Sequence, residues 1–233
     1  HNSRVRHIVI HYTASPFERA LKILTEGDVS SHYLIASGPN PIVYQLVDES
    51  RRSWHAGLSQ WYEHTDLNTS SIGIEIVNAG QLSENEWDHY DQAQIDALIA
   101  LLHDLVARHG VAPENIVGHS DIAPQRKIDP GPLFPWELLA AAGLGRWFDR
   151  DEALFFSTYY ANHGLPSPQA TQLFLKQLGY PIATDGIWTQ SSKNVLRAFQ
   201  MHYRPSQYNG ELDAETAGIL HALQPRSPLL LQP

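Results

Sequence analysis

The chain has 233 residues, with 25 Asp and Glu against 16 Lys and Arg, 13 His and no Cys, and its formal net charge is −9. The absence of cysteine excludes disulfide scaffolds, thiolate zinc sites and cysteine nucleophiles, so a tightly held metal would need His, Asp or Glu. The acidic balance argues against nucleic-acid binding, because neutralising phosphates requires clustered Lys and Arg, and no apolar run approaches the roughly 18 residues of a membrane span.

Charge divides the chain into two units. Residues 1–155 carry a net charge of −10, from 11 basic and 21 acidic residues, whereas residues 156–233 carry +1, from 5 basic and 4 acidic residues. Turn-forming residues without a sustained apolar period lie between Tyr159 and Pro168, which predicts a linker there. We therefore predict two domains, at residues 1–155 and 165–225.

In chain order, the first unit begins with strands and one helix. Alternating apolar residues and short apolar runs predict strands at residues 5–11, 32–36, 42–47 and 72–77, and a helix is predicted from an N-cap at Ser15 to about Gly27. The first strand ends in His11. In the fourth strand, Glu75 lies alone among small and apolar residues on the face opposite three isoleucines.

The clearest helix of the first unit follows Asp91, which is an N-cap with Gln94 at the third position, and it ends at Gly110. Residues 116–119 then predict a short strand that ends in His119. A strand, a helix and a further strand in this order form a crossover that returns the chain to the same sheet. The fold class predicted for the first unit is α/β, with a mixed central sheet flanked by helices.

The sequence of the second unit predicts three short helices. They begin near Ser167, Ser192 and Asp213, and turns containing Asp-Gly and Asn-Gly pairs join them. We expect a small three-helix domain.

Two histidines and one carboxylate form a candidate metal site. His11 and His119 each end a predicted strand, and Asp129 follows in a loop stiffened by prolines. Two imidazoles and a carboxylate leave a fourth zinc position open for water, which is typical of catalytic sites. Spacing alone does not single out this triple, because 13 histidines allow many others.

Non-catalytic interpretations of the other polar residues also stay open at this point. Glu75 could be a surface acid, and Lys127, next to Arg126, could belong to a solvated pair. His32 and His55 could be further ligands, substrate contacts or hydrogen-bonded core residues.

Five ordered blocks resemble the zinc-dependent N-acetylmuramoyl-L-alanine amidases of the AmpD/AmiD type, and the AmiD branch most closely. They are VIHYT at 9–13, SSHYLI at 30–35, WHAG at 54–57, SIGIE at 71–75 and GHSDIAPQRKIDPG at 118–131. The resemblance spans residues 5–148 and implies an amidase fold with bound Zn²⁺.

The resemblance also implies a role for each site residue. The zinc ligands would be His11, His119 and Asp129. Glu75 would be the general base acting on the metal-bound water, and Lys127 would stabilise the oxyanion. Four further residues in the matching blocks are expected to contact substrate: His32, Tyr33, Trp54 and His55.

Residues 175–216 resemble a helical peptidoglycan-binding domain, from which they depart at Thr189 and Asn209, where glycine and aspartate are usual. A purely structural cap on the first domain is the alternative interpretation.

Together the resemblances predict an enzyme of cell-wall turnover. It would hydrolyse the amide between the lactyl group of N-acetylmuramic acid, or its 1,6-anhydro form, and the L-alanine of the stem peptide. The expected partners are peptidoglycan or muropeptides, without nucleic acid or a transmembrane segment, and the oligomeric state is left open. The alternatives are a non-catalytic peptidoglycan receptor and a zinc hydrolase of unrelated amides.

The chain begins at His1 rather than Met, which predicts that an upstream segment was removed. We expect a periplasmic protein, with anchoring to the outer membrane through that segment as an option.

Overall fold

The computed structural model describes residues 4–84 and 86–225, so the first three residues of the predicted first domain lie outside the described part. Its strands are β1 (His7–Tyr12), β2 (Tyr33–Ile35), β3 (Val43–Gln45), β4 (Gln60–Trp61), β5 (His64–Thr65), β6 (Ser71–Ile76), β7 (Gln81–Ser83), β8 (Glu86–Trp87) and β9 (Ile116–Gly118). Five of them form one sheet in the order β3-β2-β6-β1-β9. Within it only β3 is antiparallel to its neighbour, so the prediction of a mixed sheet is confirmed.

The helices are α1 (Phe17–Glu26), α2 (Gln92–His109), α3 (His119–Ile122), α4 (Trp136–Ala141), α5 (Arg150–His163), α6 (Pro168–Gln177), α7 (Gln190–Tyr203) and α8 (Ala214–Ala222). Helix α2 has the predicted capping box of Asp91 and Gln94, and Gly110 ends it with a left-handed backbone. None of the helices in the described ranges combines the length and apolar character that crossing a bilayer requires.

Three local predictions were wrong. Helix α1 is preceded by Pro16, and Ser15 makes no capping hydrogen bond. His119 begins the one-turn helix α3 instead of ending a strand. The predicted linker is helical as far as His163, because Asp149 caps α5 and Gly218 of α8 allows the two helices to pack closely.

Helix α5 therefore crosses residue 155, where the first domain was predicted to end. The division of the chain at residues 155 and 165 stays a prediction.

The two faces of the sheet pack against different elements. Ile8 and Ile10 of β1 join a buried cluster with Leu98 and Leu102 of α2. Val9, on the opposite face of β1, belongs to a second buried cluster. Other members of that cluster are Trp61, Val117, Leu175, Val195, Phe199 and Leu220. The helical module, as we call residues 165–225 with helices α6, α7 and α8, thus packs on the sheet face that also carries His11.

Candidate active site

The three predicted metal ligands converge, with Glu75 and Lys127, on a cleft of about 370 Å³ at one edge of the sheet. His11 of β1 lies directly across from Glu75 of β6 in the parallel register. His119 follows β9 and begins α3. Because the carboxyl ends of parallel strands meet at one edge, these side chains are neighbours despite their separation in sequence.

Two imidazoles and one carboxylate meet at the base of the cleft. Asp129 Oδ2 lies 3.0 Å from His11 Nδ1 and 3.1 Å from His119 Nδ1. One potential ligand atom from each of the three residues lies within 4.8 Å of the others, and all three residues are buried. This cluster could bind a metal ion.

Each imidazole of the cluster has one nitrogen that points away from Asp129. The hydrogen bonds of these outer nitrogens indicate which nitrogen of each ring carries the proton. His119 Nε2 lies 3.0 Å from the carbonyl oxygen of Ala56, which also accepts a hydrogen bond from Arg126, so Nε2 carries the proton. A neutral imidazole with its proton on Nε2 presents an unprotonated Nδ1 to Asp129.

A longer relay orients His11. Ser71 Oγ donates to the carbonyl oxygen of Leu67 at 2.5 Å and accepts from His55 Nε2 at 3.0 Å. His55 Nδ1 therefore accepts from His11 Nε2, also at 3.0 Å. His11, like His119, directs an unprotonated Nδ1 at the carboxylate of Asp129.

Electrostatics favour a neutral imidazole at His11 and an ionised carboxylate at Asp129. Burial is the main cause that lowers the pKa of His11 to about 4, and the neighbouring His119 adds to it. Burial raises the pKa of Asp129, but the two histidines outweigh it and hold this pKa below its usual range. In the tautomers that the outer hydrogen bonds select, two lone pairs face an anionic oxygen, an arrangement that a cation would neutralise. The donor set and its outer hydrogen bonds fit Zn²⁺.

Glu75 stands beside this cluster as an unpaired carboxyl group. Its Oε2 is buried and has no hydrogen-bond partner among the described residues. Burial first, and then the charge of Asp129, raises the pKa of Glu75 well above its ordinary value, while Lys127 lowers it in part. A carboxyl group with a raised pKa can accept a proton and later release it.

Lys127 and Asp129 both line the cleft, which requires their loop to bend. The amides of Arg126 and Lys127 both donate to the carbonyl oxygen of Ala123, at 3.1 Å. The amide of Ser120 donates to the carbonyl oxygen of Asp129 at 2.8 Å, which folds the loop back onto α3.

Comparisons with known families place this geometry in context. Residues 1–132 match the model of a family described as N-acetylmuramoyl-L-alanine amidase, and residues 166–220 match that of a putative peptidoglycan binding domain. The chain belongs to the N-acetylmuramoyl-L-alanine amidase family.

Relatives of this amidase align over one or both units. It is 44% identical to N-acetylmuramoyl-L-alanine amidase AmiD of Escherichia coli over 228 residues, which cover 94% of this chain and 82% of AmiD. The 1,6-anhydro-N-acetylmuramyl-L-alanine amidase AmpD of the same organism is 39% identical over 108 residues, which cover 46% of this chain and 55% of AmpD.

Solved structures resemble the whole amidase. AmpDh3 from Pseudomonas aeruginosa, in complex with anhydromuramic pentapeptide, has a TM-score of 0.90 and 39% identity, covering 96% of this chain and 92% of AmpDh3. E. coli AmiD, in complex with anhydro-N-acetylmuramic acid-L-Ala-D-gamma-Glu-L-Lys, has a TM-score of 0.87 and 45% identity over 96% of this chain and 90% of its own. The predicted resemblance and fold class are confirmed.

Of the four residues expected to contact substrate, two line the cleft of the amidase and two do not. His55 lines it through its contact with His11, and Trp54 is 51% exposed at the rim, with the Arg52 guanidinium 3.9 Å from its ring centroid. His32 and Tyr33 are buried outside the lining.

The contacts of His32 and Tyr33 are structural. His32 Nδ1 accepts from the Gly73 amide at 3.0 Å, and Tyr33 donates its hydroxyl hydrogen to Glu49. The structure therefore does not bring these two residues to the lining of the cleft.

Three supports of the site were not predicted: the Ser71 hydroxyl, the Ala56 carbonyl and the Arg126 guanidinium. Ser71 carried a signal, because alternation in β6 places it on the same face as Glu75. A backbone carbonyl has no signal in the sequence.

Proposed function

We propose that this amidase is zinc-dependent and cleaves the amide between the lactyl group of N-acetylmuramic acid, or its 1,6-anhydro form, and L-alanine. The observation that carries the proposal is the unpaired Glu75 carboxyl beside the buried cluster of His11, His119 and Asp129. The similarity to AmiD and AmpDh3, whose structures hold anhydromuramyl peptides, supports the substrate class.

In this proposal each ligand atom is already oriented by the chain. His11 Nδ1, His119 Nδ1 and an oxygen of Asp129 would hold the zinc ion. Zinc, when bound, supplies Lewis acidity that makes water nucleophilic near neutral pH. The relay through His55 and the Ala56 carbonyl keep both imidazoles in the tautomer that can bind metal.

Glu75 would move the proton. Its carboxylate accepts the proton of the attacking water and passes it to the amine of the leaving L-alanine. A raised pKa suits both steps, because the group must take up a proton and then release it.

Lys127 would stabilise the negative charge that develops on the carbonyl oxygen of the substrate. Its side chain reaches the same cleft as Glu75. Loss of such a donor typically raises the barrier by roughly 3–4 kcal/mol. Trp54, at the rim of the cleft, offers an aromatic face to a sugar ring.

Mass spectrometry of muropeptides digested by the zinc-loaded protein tests the proposal. We expect the wild type to release free stem peptide, and Glu75→Ala to lose roughly 10²- to 10⁴-fold in turnover while retaining zinc. Glu26→Ala, at an exposed position of α1, is the matched control. Turnover by Glu75→Ala equal to the control would refute the role of Glu75 as general base.

The alternative of a non-catalytic receptor predicts that the wild type releases no stem peptide. The buried unpaired oxygen of Glu75 weighs against it, because binding alone does not require an unsatisfied carboxyl group.

Because the proposed substrate belongs to the cell wall, we propose a periplasmic location, with anchoring to the outer membrane as an option. Fractionation of cells expressing the full-length protein tests this, and recovery in the cytoplasm would contradict it.

A further inference from the structure

The segment from His119 to Asp129 carries three of the proposed site residues and packs against the helical module. It begins with α3, a helix of four residues. One helical turn does not form stably by itself in water, so contacts outside it must fix its orientation.

Asp121 of α3 provides such contacts inside a buried network. The residue is 1% exposed. Its Oδ1 accepts from the Tyr180 hydroxyl at 2.8 Å, and its Oδ2 accepts from His202 Nδ1 at 2.9 Å and from the Gly118 amide at 2.8 Å. Tyr180 and His202 both belong to the helical module, so this module supplies two of the three donors.

Further contacts join the inside of the segment, and the chain that follows it, to the helical module. The Gln125 side chain donates to the Ser191 carbonyl oxygen and accepts from Asn194, each at 3.0 Å. Beyond Asp129, the ring of Trp136 stacks on His202 with a centroid distance of 4.0 Å and an interplanar angle of 10°.

The orientation of α3 affects both ends of the proposed ligand set. His119 is its first residue, and the amide of Ser120 holds the carbonyl oxygen of Asp129 at 2.8 Å. A rotation of this turn would therefore displace one imidazole and one carboxylate together. Zinc tolerates such displacement poorly, because its ligands must lie close to tetrahedral positions.

We propose that the helical module positions the metal ligands, with Tyr180 and His202 acting through Asp121 as positioning residues for His119 and Asp129. The module is then a working part of the amidase site, whatever its affinity for the cell wall. This inference rests on the proposed zinc site.

The test compares variants of the full-length protein that remove hydrogen bonds and retain packing. Tyr180→Phe removes the hydroxyl, and His202→Phe removes the N–H donor while keeping a ring to stack on Trp136. His202→Asn restores a donor close to the position of Nδ1. Tyr160→Phe is the matched control, because it removes the hydroxyl of a buried tyrosine that is bonded to His221 at 2.8 Å, away from the segment.

Zinc affinity is measured by chelator competition, together with melting temperature and the kcat and KM for a soluble anhydromuropeptide. We expect the Tyr180→Phe/His202→Phe double variant to bind zinc about tenfold more weakly and to lose kcat with little change in KM. The single variant His202→Asn, which retains Tyr180, should approach wild-type zinc affinity. Tyr160→Phe should match the wild type. Should the double variant not fold, Tyr180→Phe alone carries the comparison with Tyr160→Phe.

Zinc affinity of the double variant equal to that of Tyr160→Phe would overturn the inference and leave the proposed function standing. Failure of the wild type to bind zinc or to turn over the muropeptide would instead refute the proposed function.

Discussion

The relay behind His11 gives the sharpest test of how the ligand set is oriented. The Ser71 hydroxyl oxygen accepts a hydrogen bond from His55 Nε2, which leaves His55 Nδ1 to accept one from His11. Ser71→Ala removes this acceptor at a position that is 0% exposed, where bulk water does not replace it.

Two outcomes are open to His55 in this variant, and in both the metal-binding tautomer of the relay is less stable than in the wild type. Keeping its tautomer leaves a buried N–H donor unpaired, at a cost of about 1–3 kcal/mol. Moving the proton to Nδ1 instead makes His11 Nε2 an acceptor, and the His11 proton then occupies Nδ1, the atom that faces Asp129. Taking about 1.4 kcal/mol as the penalty, we expect zinc binding about tenfold weaker than in the wild type.

Chelator competition measures this change directly. Ser31→Ala is the matched control, because Ser31 is an equally buried serine whose hydroxyl donates to the Gly73 carbonyl oxygen at 2.7 Å without touching the relay. If Ser71→Ala and Ser31→Ala bind zinc equally well, the relay does not orient His11 and the reasoning fails.

Three further predictions concern packing, pH and metal. A methyl group on Gly73 would lie 2.4 Å from His55 Cγ, so Gly73→Ala should destabilise the fold by about 1–3 kcal/mol in urea unfolding; an unchanged midpoint would contradict this. The hydrogen bonds from Arg108 are the main cause that lowers the pKa of Glu49 to about 2, so this group stabilises the fold above pH ~4.5 and loses that contribution as pH falls towards 2. The stability advantage of wild type over Glu49→Gln should shrink by about 2 kcal/mol between pH 6 and pH 2, a figure reduced because solvent screens the exposed Arg108. A constant advantage would refute the linkage. Zinc at 100 times its dissociation constant should stabilise EDTA-treated wild type by about 2.7 kcal/mol and raise its melting temperature; an equal rise in His119→Ala would remove that histidine from the ligand set.

Local signals in the sequence predicted most of the fold. The ends of α2 were predictable because its stop and start signals are local: the capping box of Asp91 and Gln94 begins the helix, and Gly110 ends it. The helical character of residues 159–163 was missed because it depends on a tertiary contact, the close approach of α5 to Gly218. His119 was misassigned for a similar reason, since α3 is held by Asp121 and its distant partners.

The site could be predicted only in part. Ordered sequence blocks brought His11, His119 and Asp129 together as candidates, and the structure places them within ligand distance of one another. Sequence blocks could not distinguish the role of His55, which contacts His11, from that of His32, which accepts a hydrogen bond from the Gly73 amide. Both histidines lie in matching segments. The roles of these residues in catalysis stay predictions until the variants are measured.

The apolar cluster shared by the sheet and the helical module limits how the chain can be recombined. Modules joined by linkers with small, polar interfaces can be exchanged between proteins with little loss. Here Val9 and Val117 of the sheet are buried in the same cluster as Leu175 and Phe199 of the module. We therefore expect both parts to unfold in one cooperative transition, and a foreign wall-binding module would have to reproduce this buried surface before it could replace the native one.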